Sequence, residues 1–229
     1  MRKDLQIPKV IYQTYYDKSK IPKKVYQNLK KYANGYKVVL FDDNECFEFI
    51  KKHFSLKLAK RFNKMECGAH KADLFRYCVI YINGGIYLDI KTQLIKPIDE
   101  IFTNNYLYSV LSINDETIFQ AVIASPPRNE IFLKLINYIS RHYPSYYLEY
   151  TADFYNKIKQ RVVRKNVAEG LNEMKDKYKS IPIFLFRENC SHKISACKGE
   201  NKYGLCCFIH DKQNTKIIKV RYNDFGKKW

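Results

Sequence analysis

The sequence contains no apolar run long enough to cross a membrane. No stretch approaches the roughly 18 unbroken apolar residues that a spanning helix needs, and residues 1–8 do not resemble a secretion signal, so we expect an unanchored, cytoplasmic protein. Internal repeats and low-complexity linkers are also missing, which argues against solenoids and tethered modules. With 46% hydrophobic residues among 229, the composition predicts one globular domain over residues 1–229.

Acidic residues are few, since 23 Asp and Glu stand against 41 Lys and Arg and leave a formal charge of +18. The lysines are scattered and not gathered into one stripe, so we expect no nucleic-acid partner. Two basic clusters, residues 157–165 and 175–179, fall in helix-like segments, where a solvated helix face is the usual explanation. A basic field would still attract a nucleotide-sugar, an anionic headgroup or an acidic glycan.

The paired Cys-x-x-Cys spacing of structural zinc sites is missing as well. Seven cysteines are an odd number, so they cannot all pair within the chain. Cys46, Cys67 and Cys78 lie on apolar helix faces and are interpreted as small buried hydrophobes. For the C-terminal set, zinc binding, a disulfide (190–197 or 197–206) and free thiols stay open, with free thiols favoured. That set is Cys190, His192, Cys197, Cys206, Cys207 and His210.

The most informative segment is residues 69–92. Apolar residues recur at helical spacing at positions 72, 75, 79 and 82, which predicts an amphipathic helix over 71–82. Asn83, Gly84 and Gly85 then supply a residue that adopts positive φ and ends the helix. Residues 86–90 are β-branched and aromatic, which predicts a strand.

The predicted helix and strand each hold one pair of polar residues in a defined position. Asp73 and Arg76 share a helix face, and Asp89 and Lys91 share a strand face with Tyr87. Carboxylates and a guanidinium in this arrangement suit a ligand with hydroxyls and phosphates. A solvated ion pair on the helix and an Asp that caps a turn would explain the same spacing, so both interpretations remain open.

Five segments together carry a family resemblance. They are residues 71–77 (KADLFRY), 81–89 (YINGGIYLD), 7–14 (IPKVIYQT), 40–44 (LFDDN) and 120–125 (QAVIAS). The set resembles the DXD-containing sugar-binding region of the glycosyltransferase family that includes the fungal initiating α-1,6-mannosyltransferases. The clostridial glucosylating toxins carry a related pattern.

The resemblance implies an α/β fold, a single Rossmann-like GT-A domain whose central sheet is mostly parallel with helices on both faces. The alternation of strands and helices at the start of the chain agrees with it. Residues 1–125 would bind the nucleotide-sugar, and residues 126–229 would form the acceptor side and a C-terminal lid. Such an enzyme moves a hexose from a GDP- or UDP-linked donor to a glycan or other hydroxyl acceptor, with retention of anomeric configuration.

The resemblance also implies roles for individual residues. Asp73 and Arg76 would hold the donor sugar and the phosphates, and Asp89 would contact the ribose or sugar and a divalent cation, Mn or Mg. With Lys91, these residues form the catalytic set. The donor-binding set is Tyr12, Gln13, Thr14, Asp42, Tyr87 and Trp229, of which Trp229 would close over the sugar as a lid.

The sequence departs from the family at the second Asp of the motif, which is Lys91. An ammonium cannot ligate a cation and repels one nearby by ~4 kcal/mol at an effective dielectric near 20. Three alternatives remain: Asp89 holds the metal with His210 or Asp224, Lys91 supplies the positive charge itself, or Lys91 pairs at the surface with Asp99 or Glu100. A second, milder departure puts Tyr15 in the place of the family's Trp, which preserves an aromatic group for the donor base.

Periodicity predicts the remaining elements. Strands are expected at residues 10–14, 37–41, 107–112, 121–124, 181–186, 206–209 and 216–221. Helices are expected at residues 23–31, 56–63, 130–142 and 154–166, and Asp43 or Asn44 is expected to cap another helix that ends at His53.

Two other functions stay open. A catalytically retired module that binds sugar or nucleotide is compatible with Lys91 in the motif. A basic nucleic-acid-binding protein is less compatible with the scattered lysines, and it would show a steep dependence of binding on salt.

Overall fold

The computed structural model describes residues 6–113, 115, 117–142, 181–191 and 206–220. The strands are β1 (Val10–Thr14), β2 (Lys37–Phe41), β3 (Gly85–Leu88), β4 (Thr92–Leu94), β5 (Leu107–Leu111), β6 (Ile118–Ser125), β7 (Ile183–Ser191), β8 (Cys206–His210) and β9 (Lys216–Val220). The helices are α1 (Lys23–Tyr32), α2 (Asp43–His53), α3 (Leu56–Asn63), α4 (Gly68–Asn83), α5 (Ile98–Ile101) and α6 (Glu130–His142), with a 3₁₀ turn at Lys18–Lys20.

Most elements lie where periodicity predicts them, and β1, β2, α3 and α6 have the predicted bounds. The cap of α2 was wrongly predicted, because Asp42, and not Asp43 or Asn44, accepts from Glu45 N in a reciprocal capping box. The predicted strand over residues 86–90 is shorter, since β3 ends at Leu88 and Asp89 begins a turn. The expected helix over residues 154–166 lies outside the described residues.

The nine strands form one mixed sheet in the order β2-β1-β3-β6-β5-β7-β8-β9-β4. The α/β fold class is confirmed. Parallel pairing joins β1 to β2 and to β3, which is the Rossmann-like opening, and also joins β5 to β7. The other neighbours are antiparallel. The expected mostly parallel sheet is therefore mixed, with parallel pairing confined to these three pairs. Consecutive strands pair antiparallel in β5–β6, β7–β8 and β8–β9. The pairs β3–β6 and β4–β9 are also antiparallel, although their strands are not consecutive in the chain.

The sheet must curl, because β3 and β4 are close in sequence and distant in strand order. Six strand spacings of about 4.8 Å separate them along the sheet, or roughly 29 Å if it were flat. The four-residue step from Leu88 to Thr92 spans at most about 14 Å. Curling brings the β4 edge back toward β3, so that residues 89–91 bridge two regions of the sheet.

Helices cover both faces of the sheet. On one face, α2, α3, α4 and α6 pack in one apolar cluster against Tyr12, Tyr87 and Ile123. On the other, α1 and α5 pack in a second cluster against the alternate strand residues, such as Ile11 and Ile86. The two clusters follow from the period of two along each strand. Among the described residues, no helix is both long and apolar enough to cross a membrane.

Gly84 and Gly85 end α4 as predicted, with φ of +65° and +101°. Both also pack tightly. A Cβ on Gly84 would lie 2.6 Å from Pro127 N, and one on Gly85 would lie 2.9 Å from Val10 O. Positive φ and close backbone approach thus both require glycine at the start of β3.

The cysteine predictions are partly wrong. Cys190 on β7 forms a disulfide with its register partner Cys207 on β8, so neither the favoured free thiol nor the alternative 190–197 pair describes Cys190. Cys46 and Cys78 are buried free thiols as predicted, and burial raises the pKa of both. Cys67 is free but only partly buried, because it precedes α4 as its N-cap.

Gly84→Ala should lower the free energy of unfolding substantially more than Gly35→Ala. Both glycines have positive φ, so each substitution carries a backbone cost of about 1 kcal/mol or more. A Cβ at Gly35 meets nothing within 4 Å, whereas one at Gly84 collides with Pro127. Urea unfolding of the two variants measures the difference, and equal losses would show that packing at Gly84 is not the constraint.

Candidate functional site

Two of the predicted site residues, Asp73 and Arg76, lie on helix α4, which is buried in the protein. The predicted amphipathic helix is in fact buried on nearly every side, with Leu74, Phe75, Tyr77, Cys78, Val79 and Ile80 all inaccessible. An all-round buried helix is expected where a helix lies between a sheet and other helices. Asp73 and Arg76 are buried with it, at 4% and 3% exposure. The solvated ion-pair interpretation is therefore wrong, although the pair itself exists.

The guanidinium of Arg76 joins three elements. Its Nη2 lies 3.0 Å from Asp73 Oδ1 on α4 and 3.1 Å from Asp89 Oδ1 after β3. Its Nη1 donates to the main-chain oxygen of Gln120 on β6, and its Nε donates to Ala72 O at 3.1 Å. The guanidinium thus uses most of its five N–H groups within the protein and fixes both carboxylates.

Charge explains why this arrangement holds. Burial lowers the pKa of Arg76 because it disfavours the charged guanidinium. The negative charges of Asp89 and Asp73 raise that pKa by more, so it lies above its usual value. Removing one partner of a buried ion pair typically costs ~3–5 kcal/mol. One guanidinium between two carboxylates leaves one net negative charge, so a pyrophosphate bound here needs further positive charge.

Asp89 lies at the accessible edge of the cluster, with its side chain 36% exposed. Its backbone is held by hydrogen bonds from Asp89 N to Ala121 O at 2.8 Å and from Thr92 N to Asp89 O at 2.9 Å. Thr92 Oγ1 also donates to Asp89 O. Asp89 and Lys91 therefore lie in a tight turn between β3 and β4, and not on one strand face as the alternation predicts.

The ring of Tyr87 packs against the guanidinium of Arg76, and Thr14 is hydrogen-bonded to Tyr87. The ring of Tyr87 is fully buried, with Arg76 Cζ 4.6 Å from its centroid. The Tyr87 hydroxyl and Thr14 Oγ1 lie 2.8 Å apart and share a hydrogen bond. Burial raises the pKa of Tyr87, so its hydroxyl stays protonated. Thr14 at the carboxyl end of β1 is thereby connected to the motif.

The other predicted donor-binding residues are less accessible than expected. Tyr12 and Gln13 are buried, and Tyr12 packs in the core with Phe41. Asp42 uses Oδ1 to accept from Glu45 N at 2.9 Å, as the cap of α2. Tyr12 and Gln13 are therefore buried and Asp42 acts as a helix cap, and the contact of these residues with a ligand stays a prediction.

Two groups that sequence reasoning missed stand out at the site. Tyr16 follows β1, is 57% exposed and lies against Tyr15, with ring centroids 4.8 Å apart. Tyr15 packs against the small cluster that contains Ile90, next to Asp89. Gln120 is buried, accepts from the Tyr77 hydroxyl through Oε1 and has no hydrogen-bond partner for Nε2 within the described residues. An aromatic pair at a strand end is visible in sequence, but Gln120 acts largely through its backbone, which no pattern reveals.

Among the described residues, no group of three or more potential metal ligands surrounds Asp89. One oxygen of Asp89 is held by Arg76, and the second position of the motif is an ammonium. The described residues bring together one group of three or more His, Cys, Asp or Glu ligands, and it lies elsewhere, at Glu188, Cys190 and Cys207. Val220 on β9 pairs with Cys207 near the start of β8 and with Thr92 on β4. The start of β8 is therefore level with Thr92, whereas His210 lies at the other end of β8. His210 is therefore not placed beside Asp89.

Several predicted site residues lie outside the described part of the chain. Asp224, proposed as a metal ligand, and Trp229, proposed as the lid, are among them. His192 and Cys197 of the C-terminal set are as well. The predictions for these residues remain predictions.

The model of one protein family matches residues 20–108, and its description is "glycosyltransferase sugar-binding region containing DXD motif". The matched region runs from the 3₁₀ turn to β5 and contains Asp73, Arg76, Asp89 and Lys91. The resemblance expected from the sequence motifs is thereby confirmed for these residues.

Curated relatives agree with this match. An uncharacterized glycosyltransferase of Acanthamoeba polyphaga mimivirus is 26% identical over 55% of the chain and 53% of its own length. The initiation-specific alpha-1,6-mannosyltransferase of Candida albicans is 35% identical over 43% of the chain and 28% of its own length. A mannosyl phosphorylinositol ceramide synthase of Saccharomyces cerevisiae is 28% identical over 62% and 36%. The chain thus spans about half the length of the viral relative and less of the fungal enzymes.

Among solved structures, the PaToxG glycosyltransferase superposes with a TM-score of 0.46 at 15% identity, over 67% of this chain and 70% of that one. The family match and the buried cluster coincide on the same residues of α4 and the β3–β4 turn. Residues 20–108 of this chain therefore match the sugar-binding region of the DXD-containing glycosyltransferases.

Proposed function

We propose that this protein is a hexosyltransferase that takes a sugar from a GDP- or UDP-linked donor and passes it to a glycan or other hydroxyl acceptor, with retention of configuration. The observation that supports this most directly is the Asp73–Arg76–Asp89 cluster within the family-matched region. Asp89 exposes part of its carboxylate where a donor hydroxyl can reach it, while Arg76 holds that carboxylate in place. Carboxylates fixed in this way accept from sugar or ribose hydroxyls.

Mannose is the first sugar to test. The names of two relatives, an alpha-1,6-mannosyltransferase and a mannosyl phosphorylinositol ceramide synthase, specify mannosyl transfer. The donor would be bound mainly by residues before position 126, and the acceptor side would involve the later residues.

The departing nucleoside diphosphate needs positive charge beside it, because the sugar acquires oxocarbenium character as the bond breaks. The Arg76 cluster leaves one net negative charge, and Lys91 lies two residues beyond Asp89 in the same turn. In the proposed mechanism Lys91 brings the site to neutrality and stabilises the leaving phosphates. A divalent cation would supply the same charge, but the described residues do not bring three His, Cys, Asp or Glu ligands together at Asp89.

The aromatic pair Tyr15 and Tyr16 is the proposed platform for the nucleotide base. Parallel strands of such sheets bind nucleotides beyond their carboxyl ends, and both tyrosines directly follow β1. Tyr16 presents an exposed ring, and Lys20 Nζ lies 5.0 Å from its centroid. A base stacked on this ring would lie close to Ile90 and the motif turn.

Asp89→Asn should reduce sugar transfer and donor hydrolysis by ~10²–10³-fold in a protein that still folds, because one positioned charge is lost while Asp73 still pairs with Arg76. The assay is a panel of GDP- and UDP-sugars, GDP-mannose included, with release of nucleoside diphosphate measured. Asp99→Asn, which removes an exposed partner of Lys9, is the matched control and should keep full activity. Binding without release by the wild-type protein would favour a retired binding module, and unchanged turnover of Asp89→Asn would refute the donor-site assignment.

Lys91→Ala should lose transfer, while the wild-type protein should remain active in EDTA. Both results follow if the ammonium, and not a cation, balances the leaving phosphates. Lys91→Asp, which restores the family motif, should make activity depend on added manganese. Wild-type activity that disappears in EDTA and returns with manganese would contradict the role of Lys91.

Tyr16→Ala should weaken binding of the nucleoside diphosphate about tenfold or more, because stacking on an aromatic ring contributes ~1–3 kcal/mol per base. Calorimetric titration of the free nucleotide measures this directly. Tyr26→Ala is the control, since Tyr26 is also exposed, at 45%, but lies on α1. Equal affinity of both variants and the wild type would remove the tyrosine pair from the donor site.

A further inference from the structure

A second group of potential ligands lies on β7 and β8, away from α4. Cys190 and Cys207 are register partners on these antiparallel strands, and Glu188 precedes Cys190 by two residues on the same strand face. The carboxylate and the two sulfurs all lie within 4.8 Å of one another. In the described part of the chain, no other three His, Cys, Asp or Glu side chains come so close together.

This group lies beside an apolar core cluster. Cys207, Ile209 and Phe186 belong to that buried cluster, and Cys190 packs against it. Glu188 is only 5% exposed, and Ser112 Oγ donates to its Oε2 at 3.5 Å. The three potential ligands are therefore close together and largely shielded from solvent.

We propose that Glu188, Cys190 and Cys207 form a binding site for a soft divalent cation of the zinc class when the Cys190–Cys207 disulfide is reduced. Two thiolates and one carboxylate are a ligand set that zinc accepts, with water completing four-coordination. The disulfide and the metal are alternatives, because each uses both sulfurs.

The chemistry of the exchange balances. A dithiol or phosphine reductant supplies two electrons, which break the S–S bond, and two protons yield two thiols. Metal binding then forms two metal–sulfur bonds and releases those two protons. The Glu188 carboxylate binds without a redox change. The site does not use Asp73, Arg76 or Asp89, so it is independent of the proposed sugar transfer.

Cobalt provides the first test. The full chain is reduced with a phosphine, desalted without oxygen and titrated with Co²⁺, whose thiolate charge-transfer absorption reports Co–S bonds. We expect one Co²⁺ per chain, displaced by Zn²⁺, and no such absorption before reduction. Absence of the band in the reduced protein would overturn the proposal.

Variants assign the ligands. Cys190→Ser and Cys207→Ser should abolish the charge-transfer band, and Glu188→Gln should keep sulfur ligation but weaken Co²⁺ binding about tenfold or more. Cys67→Ser is the matched control, because Cys67 is a partly exposed free thiol at the start of α4, and it should bind like the wild type. Full binding by Cys190→Ser, or unchanged affinity of Glu188→Gln, would refute the assignment.

X-ray absorption at the zinc edge on the reduced wild-type protein tests the site without any substitution, in case the serine variants do not fold. We expect a first shell of two sulfurs with lighter O or N ligands. A shell without sulfur, or with four sulfurs, would exclude the proposed ligands.

Discussion

The buried guanidinium of Arg76 is the interaction on which the rest of the site depends. It binds a carboxylate from the middle of a helix, a carboxylate from the end of a strand and a main-chain oxygen from the neighbouring strand. Because these come from α4, β3 and β6, the cation fixes the helix against the sheet and sets the position of the motif turn. Structure and chemistry are therefore coupled, since a variant that removes this charge changes both the packing of α4 and the placement of Asp89.

Local sequence patterns predicted most of the fold because most elements are defined by local physics. The apolar stripe of α6 and the glycines after α4 are both contained within a few residues. The short elements β4 and α5 were missed, since three or four residues carry no period, and β4 exists through its pairing with β9. The Cys190–Cys207 pair was missed for the same reason, because its register depends on how β7 and β8 align.

The sequence predicted which residue types form the site, but it did not predict how deeply they are buried or what they contact. The spacing of Asp73 and Arg76 indicated a shared helix face, but whether that face meets water or a sheet is decided by tertiary packing. Asp42 illustrates the opposite case, since an acidic residue at a strand end has an ordinary task as a helix cap. Backbone contacts such as Gln120 O to Arg76 are invisible in sequence, because every residue has a carbonyl oxygen.

The three-residue link between β3 and β4 has a consequence for how the protein is made. Thr92 pairs with Val220, so the strand that follows the motif turn gains its partner only after residue 220 has been synthesised. On a ribosome, the carboxylates and guanidinium of the first half emerge long before β9 is available to close the curled sheet. Contacts of such long sequence separation form late. A nascent chain would therefore hold an incomplete rim around Asp89 until β9 has emerged and paired with β4.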